Sequence, residues 1–102
     1  MTLAIRHNPL DHRFEAVDGE ATAGFVEYIQ TDAGLIVFTH TEVDRAYEGK
    51  GVGSQLASYV LDYSRAEGLH VLPICPFIAK YIQRHPEYQD LLYRAKPSQV
   101  SD

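Results

Sequence analysis

The sequence predicts an α+β fold, a mixed, mostly antiparallel sheet with a single strand–helix–strand crossover. Three observations lead there. Period-two and β-branched runs, separated by short turn signals, fill the first forty-odd residues. Apolar stripes at helical spacing follow from Val52 to Tyr63 and from Phe77 to His85. Between those stripes lies one more short apolar run, so a strand returns to the sheet across the first helix, by the right-handed route. The 102 residues suffice for one domain, expected over 1–95, with a polar, frayed tail over 96–102.

Each element has its own signal. Residues 5–7 form a short first strand, ended by the turn-initiating pair Asn8-Pro9. Residues 12–17 alternate polar and apolar, as a half-buried strand does. Asp18-Gly19 then supplies a hairpin turn, because a type I′ turn needs two residues tolerant of positive φ. Residues 21–30 return, with Phe25, Tyr28 and Ile29 as bulk, and 31–34 turn the chain again. The run Leu35-Ile36-Val37-Phe38-Thr39-His40-Thr41 is apolar and β-branched enough to predict a strand buried on both faces. Val52, Leu56, Tyr59, Val60 and Tyr63 make the buried stripe of the first helix, which Gly68 ends. Residues 70–74 form the last strand, and Pro73, with no N–H to give a ladder, places it at an edge or pulls it away from its neighbour. Pro76 opens the second helix, where a missing N–H costs nothing. Phe77, Ile78, Tyr81, Ile82 and His85 are its expected buried face, and Pro86 stops it.

Composition narrows the function. Nine Lys and Arg against fourteen Asp and Glu leave a formal charge of −5, which argues against nucleic acid as a partner, since phosphate neutralisation needs clustered cations. One cysteine excludes an internal disulfide framework and a Cys-rich zinc site. His7, His12 and His70 show no metal-ligand spacing, so no metal is expected. No apolar run approaches the ~20 residues of a membrane span, and the N-terminal residues carry no signal-peptide pattern. A cytoplasmic protein without membrane contact is expected; a monomer or weak homodimer is the expected state.

The segment Glu48-Gly49-Lys50-Gly51-Val52-Gly53-Ser54 joins a strand to a helix. Glycines admit close approach to a ligand, and the free N–H groups of a helix's first turn favour an anion such as a pyrophosphate. The same glycines also suit a tight turn with no ligand. A Walker loop and a dinucleotide G-x-G-x-x-G fingerprint are both absent.

The stretch from Val43 to Gly53 resembles the acyl-CoA loop of the GNAT superfamily of N-acetyltransferases, V-x-P-x-x-R-G-x-G-x-G, at the valine and all three glycines. It departs at Arg45, where proline is usual, and at Glu48, where arginine or glutamine is usual; that carboxylate must point away from a pyrophosphate or lean on Lys50. His40-Thr41-Glu42-Val43, Cys75-Pro76-Phe77 and Arg84-His85-Pro86-Glu87-Tyr88 resemble, in order, the marks of a minimal single-domain subfamily that lacks the two helices after the first strand. The resemblance covers roughly residues 3 to 93. It implies the acyl-CoA N-acyltransferase fold, with the sheet splayed between the strands ending at Val43 and Ile74. It also implies acetyl-CoA as cofactor, its pantetheine arm beside Thr41, Glu42 and Val43 and its pyrophosphate on Glu48, Gly49, Lys50, Gly51, Val52, Gly53 and Ser54.

Candidate chemical groups follow. Cys75 precedes Pro76 and is the expected N-cap of the second helix, where the helix end favours a thiolate. It stands either as an acyl-accepting nucleophile, as lining of the acetyl pocket, or as a small buried hydrophobe. His40 and Glu42 share a strand face, and either can take a proton from an amine; a structural histidine is the alternative for His40. Tyr81 is a candidate proton donor to the leaving thiolate or a core aromatic, and His85 a cap for helix carbonyls or a packing residue. The reading is acetyl transfer to an amine acceptor, a protein lysine, polyamine or other amine. A module that binds CoA or acyl-CoA without turnover is the alternative.

Overall fold

The structure, a computed structural model, describes residues 2–94; the tail predicted over 96–102 lies outside the described residues. Leu3–Asn8 (β1), Arg13–Asp18 (β2), Ala21–Gln30 (β3) and Leu35–Val43 (β4) form an antiparallel meander. Val52–Ala66 (α1) crosses over, His70–Pro73 (β5) joins β4 in parallel, and Pro76–Arg84 (α2) follows. Sheet order therefore equals chain order, β1-β2-β3-β4-β5. The predicted α+β class and single crossover are the ones the chain adopts. Short 3₁₀ segments at Pro9–Asp11, Arg45–Tyr47 and Pro86–Leu91 carry no signal that the residue pattern announced.

Both helices pack on one face of the sheet. Register places Phe14 opposite Val26 and Tyr28 opposite Phe38, and these side chains meet Val52, Leu56, Leu61, Ile78 and Ile82 in a single buried core. Each such side chain contributes about 1.5–3 kcal/mol by leaving water. The one-sided arrangement corrects the expectation that β4 is buried on both faces. Ile36 and Phe38 are buried, while Val37, pointing to the other face, is only partly so.

The helices sit slightly rotated from the predicted stripes. In α1, Ala57, Leu61 and Ser64 join the core, whereas Tyr59 is 42% exposed. Ser64 tolerates burial because its hydroxyl donates to the Val60 carbonyl at 2.7 Å. In α2, Ile78 and Ile82 are buried as expected but Phe77 is 40% exposed. The edge position read from Pro73 holds for β5, whose outer side is met by Tyr93, donating N–H to the Val71 carbonyl at 2.8 Å.

On the uncovered face, β4 and its neighbours carry Ile29, Val37 and Leu72, whereas β1 and β2 are organised around Glu15, which is 2% exposed. Arg6 and Arg13 each reach it at 2.6 Å, and Asn8 donates at 3.2 Å. Burial pushes the Glu15 carboxyl up, but the hydrogen bonds from Arg6, Arg13 and Asn8 together outweigh it and bring its pKa to about 2. The Arg13 guanidinium also lies over the Phe25 ring, 4.7 Å from its centroid.

Candidate active site

β4 and β5 are paired only from Leu35–His70 to Phe38–Pro73. At that point the strands part: the N–H groups of Ile74 and Cys75 both donate to the Phe38 carbonyl, at 3.0 and 2.9 Å. Pro73 has no N–H with which to extend the ladder. Opposite this point, β4 carries an extra residue against β3, since Glu27 faces His40 and Tyr28 faces Phe38, leaving Thr39 as a bulge. From Thr39 to Val43 the β5 side of β4 has no strand neighbour among the described residues. The splayed sheet implied by the resemblance is present.

Thr41 and Cys75 meet across the fork. The Cys75 thiol donates to Thr41 Oγ1 at 3.1 Å, and the cysteine is 3% exposed. Cys75 is the N-cap of α2, as predicted, yet its side chain makes no capping bond; its carbonyl accepts the helix's first bond, from Ala79 at 3.1 Å. The contact joins two residues far apart in sequence, and only the fold reveals it.

The fork continues into a concavity bounded by Val43, Tyr47, Glu48, Gly49, Gly51, Val52, Gly53, Ser54 and Phe77. Gly49 and Gly51 have φ of 78° and 79°, and a Cβ on either would project into open space. Gly51 caps α1 without a side-chain bond, and the first backbone bond of the helix runs from Gln55 to Gly51. The N–H groups of Val52, Gly53 and Ser54 therefore have no partner within the helix. Gly53 is required for another reason. A Cβ there would stand 2.7 Å from the Phe77 ring, so the absent side chain lets α1 and α2 close up. Tyr47 pins the loop from behind, its hydroxyl donating to Asp18 at 2.8 Å. That bond to the carboxylate, aided by burial, raises the Tyr47 pKa and keeps the proton on the phenol. Glu48 is exposed and forms no ion pair with Lys50.

The remaining predicted residues divide between the two faces. Thr41 and Val43 pair with Val26 and Gly24 on the helix side, whereas His40 and Glu42 pair with Glu27 and Phe25 on the open side. His40 Nε2 lies 3.6 Å from a Glu42 carboxylate oxygen, and both side chains are more than half exposed. Sequence alternation thus paired His40 with Glu42 correctly but left unstated that they face away from Cys75. Tyr81 is half-buried, its ring stacked on His85 at 3.8 Å, and burial raises its pKa. His85 Nδ1 donates to the Tyr81 carbonyl at 2.8 Å, which is the carbonyl-capping role expected of it. Among the described residues no cluster of His, Cys, Asp and Glu is arranged to hold a metal, and no helix is long and apolar enough to cross a membrane.

A family model described as GCN5-related N-acetyl-transferase matches residues 13–91. The chain belongs to this family. As a GCN5-related N-acetyltransferase family member it shares 36% identity over 52 residues with Protein NATD1 of Gallus gallus and of Mus musculus, and the same with that of Homo sapiens. The match takes in 51% of this chain, and the chain spans about half the length of these curated relatives, 46–47%. Among solved structures, a GCN5-like protein from Staphylococcus aureus superposes over 98% of this chain and 97% of its own, with a TM-score of 0.71 at 24% identity. Nourseothricin acetyltransferase matches 74% of this chain and 47% of its own length, at a TM-score of 0.52 and 24% identity. A ribosomal-protein-alanine N-acetyltransferase from Brucella melitensis matches 88% and 67%, at 0.53 and 16%. At those identities the likeness is one of fold. Family membership carries acyl transfer as the general chemistry.

Proposed function

We propose that the protein transfers an acetyl group from acetyl-CoA to an amine carried by a protein lysine or a polyamine. The observation that carries this reading is the parting of β4 and β5 at Phe38, continuous with the glycine-lined end of α1. The residues fit the group. Unpaired N–H groups at Val52, Gly53 and Ser54 suit a pyrophosphate, and the open space over Gly49 and Gly51 is room that a side chain would fill. The free edge of β4 from Thr39 to Val43 suits the amides of a pantetheine arm. When bound, acetyl-CoA supplies an acyl group activated as a thioester.

The chain's own residues then do the following. The backbone near Thr41 donates to the acyl carbonyl as charge builds on it. The acceptor ammonium arrives from the open face, where His40 takes its proton and the Glu42 carboxylate steadies the resulting imidazolium. The net charge of −5 favours such a cation. Cys75 lines the acyl pocket: its burial and its bond to Thr41 support direct attack by the amine over prior transfer to sulfur.

The test is thiol release from acetyl-CoA with and without lysine peptides and spermidine, in wild type, Cys75→Ala and His40→Ala. Release that needs the amine, survives Cys75→Ala and falls with His40→Ala is expected. A transient acetyl adduct on Cys75, located by peptide mass spectrometry and lost with activity in Cys75→Ala, replaces direct attack with a covalent route. Calorimetric CoA binding with no release for any amine leaves a binding module.

A further inference from the structure

A second groove lies beside the glycine loop, lined by Ser54, Phe77, Lys80, Tyr81, Arg84 and His85. It shares Ser54 and Phe77 with the concavity over Gly49 and Gly51, so the two adjoin. No carboxylate lines it, in a chain whose acidic residues outnumber its basic ones. Among the described residues, Arg6, Arg13 and Arg65 are held in ion pairs with Glu15 and Asp90. Arg45, Lys50, Lys80, Arg84 and Arg94 have no such partner. Four of those five stand on the two elements that frame the groove and the concavity, the segment between β4 and α1 and the helix α2. Lys80 and Arg84 are one helical turn apart on α2, so both project to the same side. Phe77, one position before the buried Ile78, offers them an exposed aromatic neighbour.

CoA differs from a simple pyrophosphate ester in a further phosphate at the 3′ position of its adenosine, two negative charges removed from the pyrophosphate by the length of a ribose. We propose that Lys80 and Arg84 bind this 3′-phosphate, with Phe77 against the adenine, and so select CoA over its dephosphorylated form. The proposal rests on the acetyl-CoA reading above. Arg supplies a planar fork of donors suited to phosphate oxygens and Lys a mobile point charge. Among the described residues neither cation has an internal carboxylate to leave.

Calorimetry with CoA, dephospho-CoA and adenosine 3′,5′-bisphosphate tests this without reference to turnover. Wild type is expected to bind CoA about tenfold or more tightly than dephospho-CoA. The Lys80→Gln/Arg84→Gln double variant keeps good helix formers at exposed positions. It is expected to lose that preference by weakening CoA alone, with dephospho-CoA unchanged and the circular dichroism spectrum intact. Arg94→Gln, removing one unpaired cation that does not line the groove, is expected to retain the preference. Adenosine 3′,5′-bisphosphate binding is expected in wild type and lost in the double variant. Equal wild-type affinity for CoA and dephospho-CoA overturns the 3′-phosphate assignment while leaving the acetyl-CoA reading standing. So does a preference that survives the double substitution or disappears with Arg94→Gln. Failure of CoA and dephospho-CoA alike to bind overturns both.

Discussion

Over Leu35–Phe38, β4 has a hydrogen-bonded neighbour on each edge and buries Ile36 and Phe38 completely. Over Thr39–Val43 it keeps β3, loses β5, and buries none of its side chains. The same strand is thus structural in one half and open to ligand in the other, with a bulge at Thr39 and the proline of β5 marking the change. A frame that supplies stability is separable from a fork that supplies binding, and each can be perturbed with little effect on the other.

The largest effect is expected in the frame. Phe38→Ala empties a fully buried aromatic site and should cost about 3–5 kcal/mol in urea unfolding. A loss under 1.5 kcal/mol would mean that the paired half is not the core it resembles. The next effect belongs to the meander. The Glu15 carboxyl titrates at about 2 when folded against 4.5 in its ordinary state. A depressed folded pKa contributes stability that is present above the ordinary value and lost as pH falls towards 2. About 3 kcal/mol should drain away across that window, and Glu15→Gln should flatten this part of the profile. An unchanged acid limb in Glu15→Gln assigns the loss to other carboxylates. The smallest effect is in the fork. Gly51→Asp places a side chain and a charge where the pyrophosphate is read to sit, and CoA affinity should fall more than tenfold, or ~1.4 kcal/mol. Unchanged affinity in the folded variant removes the loop from the site and dissolves the contrast between the two halves.

The meander was legible because each strand ends on a chemical signal: Asn8-Pro9, Asp18-Gly19 and the turn before Leu35. The expected type I′ pair is nonetheless not formed: Asp18 ends β2, the turn is Gly19-Glu20, and positive φ falls on Gly19 alone. The position of β5 was legible in Pro73 alone. Burial was less so. Leu35-Ile36-Val37-Phe38 reads as buried throughout, because composition cannot show that both helices settle on one face. Ser64 lies outside the apolar stripe of the first helix, and the internal bond to Val60 that lets it be buried exists only once the helix forms. For the site, the glycines, Thr41 and Cys75 were each visible as residues, but the bond between the last two needs the fork to bring them together. The bulge at Thr39 has no residue type of its own. Lys80 and Arg84 look like any solvated helix face until Ser54 is seen beside them.

That sheet order repeats chain order has a kinetic meaning. From β1 to β4 every strand pairs with the one just made, across turns as short as Gly19-Glu20, so little loop entropy opposes each closure. The pairing of β5 with β4 closes the much longer stretch from 44 to 69, so it carries a larger loop entropy than any of the hairpins. The chain therefore assembles its sheet from local hairpins and its fork from the one distant closure. On the way back, an opening that releases β5 and α2 dismantles the cleft while the hairpins still stand.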